Sequence, residues 1–252
     1  MLEFIIVPFT NVLIYIYSVL GQNFGLAIIV FTIAVRLLTY PLTAKQLQST
    51  RAMQELQKSK KYQQIEKKYK NDPQKKQQEQ AKLWQENGVN PLGSCLPTLV
   101  QFPIIIGLYW SVTRALASTP LQLLTFARNL SLPNIAELLP LNSQFLWMDL
   151  GQPERLSLDF LPFSIPVLAI VVMITSYLQT KLMSPTAGSS GGQNAQMGQM
   201  MNIYMPLLMG YISYIYSAGL ALYFVTSNVV SMVQYGLMGR FSTKSSTEPQ
   251  SK

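Results

Sequence analysis

The sequence predicts an all-α polytopic membrane protein, with five transmembrane helices around a hydrophilic groove and a helical hairpin on the cytoplasmic side. Three observations point there. Of the 252 residues, 49% are hydrophobic and only 12% charged, and five apolar stretches are long enough to cross a hydrocarbon core. A strongly basic, polar segment separates the first two of these stretches. Inside the first stretch, within FTIAVRLLTYPL, sits an arginine, Arg36.

Residues 1–23 are apolar but begin with Glu3, contain Pro8 and show neither a basic leader nor a small-residue cleavage pattern, which argues against a cleaved signal. Asn11 and Ser18 interrupt the run, and Tyr15 and Tyr17 suit a headgroup zone, so the segment reads as an extracytoplasmic interfacial helix. A spanning helix over 4–20 is the alternative. After the polar break Gly21-Gln22-Asn23 comes the first span, 24–41.

Residues 42–94 form the basic hairpin: Asn71-Asp72-Pro73 reads as a turn followed by a proline-initiated helix. Its apolar residues, Leu47, Leu56, Ile65, Tyr69 and Leu83, are too few for an independent core, which predicts a mobile arm held by its ends. The second span is 95–117, followed by an extracytoplasmic loop over 118–161 and a third span over 162–182. A flexible cytoplasmic loop, 183–199, precedes the fourth span, 200–217. The fifth span, 218–239, follows a tight outer turn and ends in a cytoplasmic tail, 240–252. Lysine and arginine retain short loops in the cytoplasm, so the N-terminus is expected outside and the C-terminus inside.

Several chemistries are disfavoured. The chain has no histidine, which removes histidine bases, most zinc sites and Ser-His or Cys-His triads. Cys95 is the only cysteine and cannot form an intrachain disulfide. No GxxxxGK[ST] loop occurs. No enzyme, catalytic residue, metal or cofactor is expected.

Arg36 admits two readings. It could snorkel to cytoplasmic headgroups, or it could face a water-filled cavity in the bundle. None of the five spans contains an acidic residue to neutralise it. Thr32 and Thr39 share its helix face, and Gln101, Thr175, Gln179, Ser227, Asn228, Ser231 and Gln234 could complete a wet surface. Such a positive, hydrated site would attract acidic groups, on a polypeptide or on an anionic solute. In the hairpin, Arg51, Lys58, Lys60, Lys61, Lys67, Lys68, Lys70, Lys75 and Lys76 offer positive charge suited to ribosomal RNA or anionic headgroups.

Taken in order, VRLLTYPLTAKQLQSTRAMQELQ, NPLGSCLPTLVQFPIIIGLYW, KLMSP, MNIYMPLLM and SAGLALYFVTSNVVSMVQ resemble the YidC/Oxa1/Alb3 family of membrane protein insertases over nearly the whole chain. The resemblance implies a five-helix core and a groove open to cytoplasm and lipid. Arg36 takes the place of the groove arginine; Gln101 falls in the second-helix motif, and Ser227 and Asn228 in the fifth-helix motif. It also implies an insertase and foldase acting on nascent membrane proteins in the lipid bilayer, with ribosome and Sec translocon as candidate partners and no small-molecule substrate. The expected location is the bacterial inner (plasma) membrane, with the thylakoid membrane as alternative. The chain departs from the family in lacking a large periplasmic domain and a lipoprotein-type signal, and in carrying Lys58 where many relatives have proline. A solute carrier is disfavoured because two similar halves with broken helices are not evident, and a membrane protease because HExxH is absent.

Overall fold

The computed structural model describes residues 3–69, 72–89, 96–116, 141–156, 165–183 and 193–245. Among them are nine helices and one two-stranded antiparallel ribbon. Lys70, the NPLGSC stretch, most of the loop expected over 118–161, the linker at 184–192 and the end of the tail lie outside the described residues.

Helix α1 (Glu3–Val19) is joined to α2 (Phe24–Leu38) by a turn in which Gly21 and Gln22 both have positive φ, 67° and 61°. The Asn23 side chain then accepts from the Leu26 amide at 3.0 Å and caps α2. The apolar face of α1 is buried rather than displayed, with Leu13, Ile14 and Tyr17 packed into the core against α2 and against α6 (Leu96–Ala115).

Helix α2 stops at Leu38, where the chain bends by 61° into α3 (Tyr40–Lys58). Pro41 explains the break. In a continuous helix its nitrogen would serve the Leu37 carbonyl, but proline has no N–H and its ring crowds that oxygen. The Thr39 amide turns back to Leu37 and Val35 instead.

The basic segment departs from a simple two-arm hairpin. Its first arm is interrupted at Ser59, which is extended and caps α4 (Lys60–Lys68) by accepting from the Tyr62 amide at 3.3 Å. Helix α5 (Pro73–Glu86) begins on proline, with Asp72 accepting from the Lys75 amide at 3.1 Å. Leu47, Tyr62 and Leu83 are buried, and Lys76 pairs with Glu66 at 3.3 Å with both side chains about nine-tenths covered. The segment therefore has packing of its own that its few apolar residues did not suggest.

Helix α6 (Leu96–Ala115) precedes the ribbon, β1 (Gln144–Phe145) and β2 (Met148–Asp149), in which Gln144 faces Asp149 and Phe145 faces Met148. Helices α7 (Val167–Met183), α8 (Gln193–Ile215) and α9 (Ala218–Ser245) complete the chain. Helix α8 starts within the stretch expected to be loop: QNAQMGQM is free of proline and β-branched residues, and glutamine, methionine and alanine are good helix formers. Helix α9 likewise runs beyond residue 239.

The ribbon caps one end of the bundle. A Cβ at Gly25 would lie 2.2 Å from the Phe145 ring, so only glycine admits that ring against the first turn of α2. The Leu150 carbonyl accepts from Gly219 at 3.0 Å and the Gln152 carbonyl from Ala218 at 2.7 Å, pinning the start of α9. Glu154 accepts from the first turn of α7 at Leu168 (3.0 Å) and from the Trp147 indole (3.2 Å).

Burial is uneven along the bundle. Near the ribbon, Phe24, Ala27, Ile28, Leu108, Val112, Leu150, Val172, Ala218 and Ala221 form a tight apolar core. Toward the opposite end, core residues give way to polar ones: Arg36 on α2, Gln101 on α6, Gln179 on α7 and Ser231 on α9. The outside carries many exposed apolar side chains, among them Leu38, Ile174, Leu207, Tyr211 and Val233. Water would be a poor solvent for such a surface. Among the described residues, Ala218–Met238 is long and apolar enough to cross a membrane alone. The bent pair α2 and α3 passes the same test jointly, while Ile6–Val19 and Val167–Met183 are shorter apolar helices.

Candidate functional site

A partly open cavity of about 600 Å³ lies where that core ends, lined from α2, α3, α6, α7, α8 and α9. Seven of the ten polar residues expected from sequence line it: Arg36, Thr39, Gln101, Gln179, Ser227, Asn228 and Ser231. The other three stand behind the wall. Thr32 is fully buried and spends its hydroxyl on the Ile28 carbonyl of its own helix at 2.6 Å. Thr175 donates to Val171 at 2.8 Å and accepts from Asn228, and Gln234 reaches the backbone of Arg36.

Arg36 is held at both ends by α9. Its Nε donates to Ser227 Oγ at 2.8 Å, Nη2 also reaches that oxygen, and its carbonyl accepts from Gln234 Nε2 at 3.0 Å. The two α9 residues are seven apart, two turns or about 10.5 Å. Helices α2 and α9 run parallel, since Gly219 packs near Ile28 and Gln234 meets the carbonyl of Arg36. The guanidinium therefore points back toward the α2 N-terminus, as helical side chains do. That is deeper into the bundle and away from the basic segment.

The other polar walls are tied in turn. Gln101 donates to the hydroxyl of Tyr223, joining α6 to α9. Asn228 donates to Ser176 Oγ at 2.9 Å and to Thr175 Oγ1 at 3.1 Å, joining α9 to α7. Among the described lining residues there is no carboxylate, so the guanidinium is held by the Ser227 hydroxyl and is not neutralised there. Such a site can take up an anionic group without first breaking an ion pair.

Sequence reasoning missed part of this lining. Thr43, Gln46, Thr50 and Met53 on α3 continue the face of Arg36 and Thr39 at alternating spacings of three and four, a helical signal that crosses the bend. Ser176 in the lining, and Tyr223 behind it as the partner of Gln101, were missed because single polar groups in apolar runs read as packing. Met53, Met183, Met205, Met209 and Met238 give the cavity a soft, adaptable apolar side.

The basic residues of the hairpin are not equivalent. Lys58, Lys60, Lys61, Lys67 and Lys68 are exposed, and Lys75 sits 3.6 Å from Asp72. Lys76 is buried against Glu66 and presents no charge outward. Arg51 lies over the Tyr235 ring at 5.7 Å, beside the cavity.

Comparison with known proteins adds an independent line. Residues 15–245 match the model of the family described as 60Kd inner membrane protein. The chain is 36% identical over 238 residues to the membrane protein insertase YidC of Oceanobacillus iheyensis, covering 92% of this chain and 81% of that one. It is 35% identical over 250 residues to the membrane protein insertase MisCA of Bacillus subtilis, covering 98% and 82%. Its fold is similar to the crystal structure of an active YidC insertase with the first transmembrane domain resolved, at a TM-score of 0.52 and 27% identity. That similarity covers 89% of this chain and 43% of that one.

Proposed function

The chain belongs to the YidC/Oxa1/Alb3 family of membrane protein insertases, and we propose that it moves short hydrophilic segments of nascent membrane proteins across the bilayer through a hydrated, positively charged groove, then releases their transmembrane segments into lipid. The family is one of insertases, not catalytic enzymes, and no bond is made or broken.

The observation that carries this reading is Arg36, a cation inside an apolar bundle whose partner is the hydroxyl of Ser227. An incoming carboxylate can replace that hydroxyl. At 4 Å and an effective dielectric near 20 the attraction is about 4 kcal/mol before desolvation, enough to draw an acid in and weak enough to release it. The apolar segment supplies the drive: roughly 20 residues at about −0.3 to −0.6 kcal/mol each give on the order of −6 to −12 kcal/mol. A potential positive outside adds about 2.3 kcal/mol per 100 mV for each acidic charge moved outward.

In this account the crossings are 24–41, 95–117, 162–182, 200–217 and 218–239, the N-terminus is outside and the C-terminus cytoplasmic. The basic segment then lies inside, in agreement with the retention of lysine and arginine on that side. The exposed cations Lys58, Lys60, Lys61, Lys67 and Lys68 are where we place contact with a ribosome or anionic headgroups, and the cavity is where a Sec translocon would hand over a chain. Purified protein reconstituted into liposomes should insert substrates that do not insert spontaneously. Insertion no greater than in empty liposomes would refute the reading.

A further inference from the structure

Gln234 is the one expected groove residue that reaches Arg36 without lining the cavity, and its environment is asymmetric. Its Nε2 donates to the Arg36 carbonyl at 3.0 Å, whereas its Oε1 is buried and has no partner among the described residues. A buried, unmatched amide oxygen is unfavourable, and leucine of similar size would avoid it. What offsets it is the carbonyl, which only the N–H end of the amide can face.

That carbonyl lies at the break. In an unbroken helix the Arg36 oxygen would accept from the amide of Tyr40, but the chain turns by 61° between Leu38 and Tyr40 ahead of Pro41. The side-chain donors at this oxygen are Gln234 at 3.0 Å and Thr39 Oγ1 at 3.4 Å. The same face of α9 holds the other end of the residue through Ser227.

We infer that Gln234 is a positioning residue, which clamps the broken α2–α3 junction so that Arg36 stays aimed into the groove and acidic segments are favoured. The inference rests on the groove reading above for its effect on substrates, but the clamp itself is a statement about the junction. Without the amide, the last turn of α2 is free to unwind, and the guanidinium keeps only its hold on Ser227.

Two measurements test it, both in a Cys95→Ala chain. The first places spin labels at Ile33 on α2 and Gln48 on α3, both exposed, and reads their distance distribution. Gln234→Leu and Gln234→Glu should both broaden it, because neither an alkyl group nor an ionised carboxylate donates to the carbonyl. A distribution like that of the parent overturns the clamp, whatever the insertion activity. The second compares insertion of two substrates that differ only in an acidic or neutral tail. Gln234→Leu should lower acidic-tailed insertion by about tenfold, as Arg36→Ala should, and leave neutral-tailed insertion within about twofold. The double variant should lose no more than either single one. Equal losses on both tails, or losses that multiply in the double variant, overturn the positioning role. If Arg36→Ala inserts both substrates like the parent, the groove reading fails, and the spin-label distances still judge the clamp.

Discussion

Arg36 and Ser227, 191 residues apart, meet through a hydrogen bond of 2.8 Å that joins the end of α2 to the middle of α9. The pairing of a cation with a hydroxyl leaves the positive charge available, and replacing the hydroxyl by a carboxylate removes that availability. Ser227→Asp should therefore depress insertion of acidic-tailed substrates by tenfold or more, since an attraction of about 4 kcal/mol would then be satisfied within the protein. Neutral-tailed substrates should change little. Parallel insertion assays on the two tails check this, and an equal effect on both would count against an exchangeable arginine.

Asn228 joins α9 to α7 by two bonds, to Thr175 and Ser176. Interhelical hydrogen bonds in membrane proteins average about 0.6 kcal/mol and reach about 1.7. Asn228→Leu should thus lower stability by roughly 1–3 kcal/mol for the pair, seen as a lower unfolding midpoint in detergent. Among the described residues Ser231 bonds within its own helix, to the Ser227 carbonyl at 2.8 Å, and Ser231→Ala should leave the midpoint close to that of the parent.

Lys76 and Glu66 form a nearly covered ion pair in the basic segment. Removing one partner of such a pair typically costs about 3–5 kcal/mol because the other is left uncompensated. Lys76→Ala should accelerate amide hydrogen exchange throughout α4 and α5, and the exchanged pair Lys76→Glu with Glu66→Lys should restore much of the protection. Lys61→Ala, at an exposed position, should leave exchange unchanged.

Gly25 lets the Phe145 ring lie against α2. Gly25→Ala forces that rigid ring to move, and overpacking of this kind costs about 1–3 kcal/mol. A lower unfolding midpoint that is relieved by Phe145→Leu would confirm the contact.

Much of this architecture was legible because its causes are local. Arg36 stands out as a charge in an apolar run, and the Tyr-Pro-Leu-Thr that follows contains the proline that breaks the helix. Gln101, Ser227 and Asn228 were visible as amides and hydroxyls in apolar company. The pairings were not legible, because contacts such as Gln101 with Tyr223 or Gln234 with the Arg36 carbonyl depend on how separate helices align. Counting cations could not reveal that Lys76 faces inward, since its partner Glu66 approaches only when α4 and α5 fold together. The direction of the Arg36 side chain was likewise open until α9 supplied a contact at each of its ends.

The central claim is a hydrated groove inside an apolar bundle, and cysteine accessibility in membranes tests it most directly. In a Cys95→Ala chain, single cysteines replace Thr39, Gln101 or Asn228 in the cavity wall, and Ile174 or Val233 on the exposed apolar exterior. A membrane-impermeant thiol reagent added from the side of the basic segment should label the three cavity positions and spare the two exterior ones. Cavity cysteines as protected as those at Ile174 and Val233 would contradict the groove.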